Sequence, residues 1–149
     1  MQAASTFSSH EIVEMLRDRG YRVTLPRQAI VEALFTFERA FSADDLIQHL
    51  SDRDPGVGRA TVFRTLDMLV SLDLLDRLHA ADGCHSYVLA HSRSHHYHHL
   101  ICNSCGTVVP FESCNIESLY PTVSKETDFQ ISSHMLELFG LCGSCRAQL

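Results

Sequence analysis

No apolar run in this chain is long enough to span a bilayer, which excludes a membrane-spanning helix, and no membrane partner is expected. The opening Met1-Gln2-Ala3-Ala4-Ser5-Thr6-Phe7 also lacks the basic and apolar blocks of a secretory signal. A reducing cytoplasm is therefore the expected home, where cysteines serve metals more often than disulfides. Catalytic signatures are missing too: there is no H-E-x-x-H helix, no nucleophile elbow and no glycine-rich phosphate loop. Glu112, Glu117 and Glu126 could act as bases beside an open zinc, but no enzyme is expected. No βαβ pattern accompanies the C-x-x-C pairs, which argues against a thioredoxin-like dithiol. Repeats and low-complexity tracts are absent, and 149 residues with 45% hydrophobic and 20% charged content describe a globular chain of one ordinary or two small domains.

An overall positive charge is lacking as well, since the formal net charge is −6. Its distribution matters more than its sum. Residues 1–90 carry nine arginines against thirteen carboxylates, whereas residues 91–149 carry only Arg93, Lys125 and Arg146 against five. Every cation of the first part is thus an arginine, the side chain suited to bidentate phosphate or guanine contacts. A DNA-binding face would have to be local, made by clustering them.

What is abundant is metal-ligating chemistry. His95-His96-Tyr97-His98-His99-Leu100-Ile101-Cys102-Asn103-Ser104-Cys105 gathers four imidazoles and two thiols in eleven residues, and Cys142-Gly143-Ser144-Cys145 adds a second pair near the end. Two C-x-x-C knuckles bring four sulfurs to one Zn2+, because a two-residue spacer folds both thiolates to one side of a turn, with Gly106 and Gly143 easing the backbone. The 36 residues between the knuckles exceed a simple ribbon loop, so a small domain must close that distance. Cys84 and Cys114 fall outside both pairs and read first as small buried residues.

Along the first part, Ser8-Ser9-His10-Glu11 is a capping box for a helix that buries Ile12, Met15 and Leu16 and stops at Gly20. Thr24-Leu25-Pro26 opens a second, with Ile30, Ala33, Leu34 and Phe37 as its stripe. Ser42-Ala43-Asp44-Asp45 caps a third carrying Leu46, Ile47 and Leu50, and Asp54-Pro55-Gly56-Val57-Gly58 must end it. A fourth runs from about Arg59 through Val62, Leu66, Leu69 and Val70. Leu74–His79 and His85–Leu89 then read as strands joined at Asp82-Gly83, a hairpin signal. Helices followed by a hairpin form the pattern of a winged helix-turn-helix, whose fourth helix would enter the major groove.

After the polar segment His91-Ser92-Arg93-Ser94 the period changes to two. His96 and His98 alternate with His95, Tyr97 and His99 on a strand, and Thr107–Phe111 is its hairpin partner. Asn115 caps a helix to about Lys125 with Pro121 limiting its regularity, and residues 129–138 read as a further strand leading to the second knuckle.

Four segments together resemble the ferric uptake regulator family of bacterial metal-sensing repressors, over nearly the whole chain: Val23-Thr24-Leu25-Pro26-Arg27, Ser42-Ala43-Asp44-Asp45-Leu46, Gly58-Arg59-Ala60-Thr61-Val62-Phe63-Arg64-Thr65-Leu66, and His96-x-His98-His99-Leu100-Ile101-Cys102-x-x-Cys105 with Cys142-x-x-Cys145. The resemblance implies an α+β fold in which a winged helix-turn-helix over 1–90 and a hinge over 91–94 precede a small α/β dimerisation and metal-binding domain over 95–149. It also implies a homodimer that represses by gripping double-stranded operator DNA when loaded with metal. Arg27, Arg59, Thr61 and Arg64 match DNA-facing positions, with Phe63 standing where the family usually has Tyr.

For metals, the resemblance implies structural Zn2+ on Cys102, Cys105, Cys142 and Cys145, and a regulatory site of His96, His98, Glu117 and His134. The family's hinge sensor transfers less completely, because Ala40 and Tyr97 replace two histidines and Ala90 stands where the zinc-sensing branch often has Cys. Either Asp76 and His99 are completed by His91, Cys84 or His85, or that site is lost and the other does the switching. Asp76 is similar to the wing aspartate of the zinc-sensing branch, so zinc is the expected signal, with Fe2+ or Mn2+, peroxide sensing through iron, and simple metal storage as the alternatives.

Overall fold

A computed structural model of the chain describes residues 7–79, 84–91, 97–112 and 114–148. Its helical part starts on a capping box: Ser8 Oγ accepts the Glu11 backbone N–H at 3.2 Å while the Glu11 carboxylate accepts the Ser8 N–H at 2.7 Å. That box opens α1 (Ser9–Asp18), which ends at Gly20 with a left-handed φ of 79°. Thr24 caps α2 (Leu25–Leu34), with Pro26 in its first turn where a missing N–H costs nothing. Ser42 and Asp45 repeat the box at 3.1 and 2.7 Å to start α3 (Ala43–Ser51), and α4 (Arg59–Ser71) begins at Gly58 without a side-chain cap. Ile12, Leu16, Ile30, Leu46, Leu66 and Leu69, recurring at helical spacing, are each completely buried between these helices. Phe37 does not extend the α2 stripe, because the helix stops at Leu34; its ring instead stacks on Phe41 with centroids 4.5 Å apart.

The wing follows directly. β1 (Leu75–His79) pairs antiparallel with β2 (His85–Leu89), and Phe41 exchanges two backbone hydrogen bonds with Tyr87 at 3.1 and 2.8 Å, fastening the hairpin to the segment before α3. The Asp82-Gly83 turn lies outside the described residues.

A second sheet follows, ordered β4-β3-β5, from β3 (His98–Cys102), β4 (Val108–Phe111) and β5 (Glu137–Gly140). β4 lies antiparallel and β5 parallel to the central β3. Two sequence expectations change here. The strand foreseen over 129–138 is regular only from Glu137, because its ladder on β3 runs from His99 to Cys102 and residues before Glu137 find no strand partner among the described residues; Phe129 and Met135 remain exposed. The helix foreseen from Asn115 enters as a 3-10 turn, Ile116–Leu119, without an Asn115 side-chain cap, before α5 (Tyr120–Thr127). Pro121 sits in the first turn of α5, where it starts the helix instead of breaking it. The short α6 (Gly143–Arg146) closes the chain. No helix among the described residues is long and apolar enough to cross a membrane.

Candidate metal centres and nucleic-acid face

The knuckle spacing is closed by the parallel strand pair. Register sets Gly140 of β5 beside Cys102 of β3, so Cys142 emerges two residues beyond, over the turn that carries Cys105. The Asn103 N–H donates to Gly140 O at 2.8 Å and the Cys142 N–H donates to Cys102 Sγ at 3.3 Å. Gly106, at φ 70°, takes the left-handed turn that returns the chain to β4, whereas Gly143 adopts no positive φ. All four sulfurs lie within 4.8 Å of one another, and Cys105 and Cys142 are 3.7 Å apart. A tetrahedral zinc with sulfur arms of about 2.3 Å has edges of about 3.8 Å, so the cluster fits that ion.

Its electrostatics lean the same way. The Cys142 N–H, helped by the Cys105 N–H, lowers the Cys102 thiol to about 6. Thr107 lowers Cys105 through its hydroxyl, 3.1 Å away. At Cys145 the Ser104 hydroxyl pulls downward, yet the thiols of Cys142, Cys105 and Cys102 together with burial outweigh it and push that thiol up to about 11. Sulfurs this close resist a second negative charge, and a divalent cation relieves that repulsion.

A second cluster lies beside β3. His98, almost fully buried, points its Nε2 at His134 Nε2, 3.2 Å away, and Cys114 Sγ lies 3.3 Å from the same His134 nitrogen. The Tyr120 hydroxyl meets His134 Nδ1 at 2.5 Å and fixes that ring's orientation. Burial, and then the charge of Glu117, raise the Tyr120 phenol above its usual value, so it stays protonated. Glu117 is therefore near enough to be felt, although it is exposed and contributes no oxygen to the group of close donor atoms. His96 lies outside the described residues. Cys114 reads from sequence as a small packing residue, and Tyr120 carries no sequence signal; Cys114 follows β4 and precedes Glu117 by three residues, a proximity that could have suggested it as a ligand.

On the opposite side, His99 Nε2 lies 3.4 Å from the Asp76 carboxylate. The Tyr97 hydroxyl donates to Asp76 Oδ2 at 2.7 Å and accepts the His91 N–H at 2.9 Å. Asp76 and His99 thus come together around a tyrosine. Neither His91, Cys84 nor His85 joins them in a three-donor cluster among the described residues: His91 meets Tyr97 edge-on, His85 packs edge-on against His79 within the wing, and Cys84 is exposed. A further link joins wing and sheet, since the Glu137 carboxylate accepts the His79 backbone N–H at 3.0 Å.

The residues expected to face DNA sort by burial. Val62, Leu66 and Leu69 turn α4 into the core, leaving Arg59, Phe63 and Arg64 outside, with Thr61 half-buried at the margin. The Arg59 guanidinium pairs with Asp44 at 2.9 Å and lies 5.9 Å from the Phe63 ring centre. Both partners of that pair are well exposed, so it exchanges readily. Arg27 is spent partly on structure, donating to Arg22 O at 2.5 Å.

A helix-turn-helix with a wing, an exposed arginine-bearing helix, and a small sheet with histidine and cysteine clusters define the class of metal-dependent DNA-binding transcription regulators. Comparison with known proteins agrees. Residues 18–139 match the ferric uptake regulator family. The ferric uptake regulation protein of Bacillus subtilis is 32% identical over 139 residues, covering 92% of this chain and 93% of the relative. That of Vibrio cholerae El Tor is 36% identical over 132 residues, covering 88% and 87%. Among solved structures, a zinc uptake regulator complexed with zinc and DNA superposes with a TM-score of 0.75 at 25% identity, covering 96% of this chain and 98% of the other. The Vibrio cholerae ferric uptake regulator gives 0.60 at 34% identity, covering 87% and 98%. The chain belongs to the ferric uptake regulator family. It is accordingly a metal-responsive regulator of transcription and not an enzyme.

Proposed function

We propose that this protein is a cytoplasmic, zinc-responsive repressor that binds operator DNA as a homodimer. The observation that carries the zinc reading is the likeness, along 96% of the chain, to a regulator solved with zinc and DNA. The site chemistry supports it: donors spaced for tetrahedral coordination suit zinc, and the residues of the regulatory site are His98 and His134, with Glu117 beside them and His96 from the adjoining segment. The four cysteines hold a separate structural zinc in a closed shell.

Dimerisation is supported by an apolar row. Leu100, Val109 and Leu138 lie abreast on β3, β4 and β5, on one face, each at least 40% exposed. A row of this kind needs a cover. Two α4 helices placed one DNA turn apart would read two half-sites, with Arg59 and Arg64 on phosphates or guanines and Phe63 against a thymine methyl.

His98 and His134 would hold a divalent ion between β3 and the segment before β5, where it would order the second domain on which the wing rests. The residues do the rest. His98 is anchored by its strand and His134 by Tyr120, so both donors are held in place beforehand. Asp76 and Glu137 join wing to sheet, and ordering there lowers the entropic cost of gripping DNA. Selection from a random duplex pool with zinc, iron or manganese, alongside elemental analysis, tests the proposal: zinc should enrich an inverted repeat, and enrichment by iron alone, or without metal, would refute it.

A further inference from the structure

We propose that Cys114 is a ligand of the second metal site, giving it two imidazoles and a thiolate. The inference rests on the reading of His98 and His134 as metal ligands, and adds a donor that the sequence reading had assigned to packing.

Geometry is the first argument. The His98 and His134 Nε2 atoms are 3.2 Å apart, and Cys114 Sγ is 3.3 Å from His134 Nε2, all three within 4.8 Å of one another. A tetrahedral zinc with nitrogen arms of about 2.0–2.1 Å and a sulfur arm of about 2.3 Å has edges of about 3.3 Å between nitrogens and about 3.6 Å between nitrogen and sulfur. Two edges of the triangle are thus close to ligand spacing, and the third is short enough for all three atoms to surround one ion.

Hydrogen bonding alone explains the convergence poorly. An imidazole nitrogen carries one proton or one lone pair, yet both His98 Nε2 and Cys114 Sγ converge on His134 Nε2. A cation at their common focus satisfies all three at once. Tyr120 at His134 Nδ1 completes the arrangement, because a proton held there leaves the Nε2 lone pair for the metal. Glu117, by contrast, is exposed on the 3-10 turn and places no oxygen in the group.

The consequence is selectivity. Coordination transfers the Cys114 proton to solvent and leaves a soft thiolate, which favours zinc over iron or manganese at a site that histidines and carboxylate alone would share among them.

The test uses the full chain with its four-cysteine site filled by zinc, titrated with Co2+ under anaerobic reducing conditions. Ligation by Cys114 predicts a near-ultraviolet sulfur-to-cobalt charge-transfer band rising with the visible d–d bands. Cys114→Ser should lose the charge-transfer band, keep the d–d bands, and bind zinc at least about tenfold more weakly, the lower end of what even an outer-shell change costs. Visible d–d bands in the unaltered protein without charge transfer would overturn the assignment, as would a charge-transfer band that survives in Cys114→Ser. No cobalt uptake at all would instead sink the underlying reading of His98 and His134.

Discussion

His98 and His99 stand back to back on β3: the first turns to His134 and Cys114, the second to Asp76 on the wing. Strand alternation alone produces this division. One strand thereby touches three places, since its last residue, Cys102, belongs to the four-cysteine group. The two histidines should consequently separate by substitution. His98→Ala is expected to remove one metal per chain while His99→Ala leaves the count unchanged, as read by elemental analysis after dialysis.

The Asp76 side of the strand behaves as a hydrogen-bonded tie. Tyr97→Phe would remove the hydroxyl that Asp76 accepts, a bond to a charged group worth about 1.5–3 kcal/mol when buried. Asp76 is partly exposed, so we expect about 1 kcal/mol and a melting temperature lower by about 2–4 °C in calorimetry. Replacing the tyrosine with the family's residue, Tyr97→His, should add a metal at Asp76 and His99, and an unchanged metal count would show that these two cannot be completed from that position.

The two faces of α4 predict opposite phenotypes. Leu66→Ala empties a fully buried position and should cost about 2–5 kcal/mol in denaturant unfolding. Phe63→Ala, on the exposed face, should change stability by no more than about 0.5 kcal/mol while weakening operator binding. Arg64→Ala should weaken binding to every duplex and lower the salt slope by about 1 if that guanidinium sits on a phosphate.

The helix caps give a prediction with a pH sign. The Ser8 backbone N–H, then its hydroxyl, hold the Glu11 carboxyl below its ordinary value of 4.5. A depressed carboxyl contributes stability that is present above the unfolded value and is lost as pH falls through the folded one. Amide protection factors in α1, taken relative to the intrinsic exchange rate, should therefore fall below about pH 4.5, and Glu11→Gln should flatten that dependence. At the other box, Ser42→Ala is expected to cost about 1 kcal/mol.

Much of the fold was legible because its local signals are strong. Ser8, Thr24 and Ser42 each cap the helix that the apolar period places after them, and Gly20 ends α1 as its left-handed backbone requires. The knuckles were legible through spacing, and parallel pairing of β3 with β5 explains how 36 intervening residues still close on one site. Where the reading stopped short, long-range partners decided the outcome. Residues 129–136 alternate like a strand but pair with no strand among the described residues, and Pro121 reads as a breaker unless the helix begins beside it. Tyr97 and Cys114 lacked any local pattern; only the fold sets one against Asp76 and the other against His134.

The most direct test of the account is reciprocity between metal and DNA. Zinc affinity of the second site should be measured in competition with a chromogenic chelator, with and without the duplex selected in zinc. Linkage requires that the DNA strengthen zinc binding by the same factor by which zinc strengthens DNA binding, about 5–150-fold for a coupling of about 1–3 kcal/mol. Equal zinc affinities in the presence and absence of that duplex would contradict it.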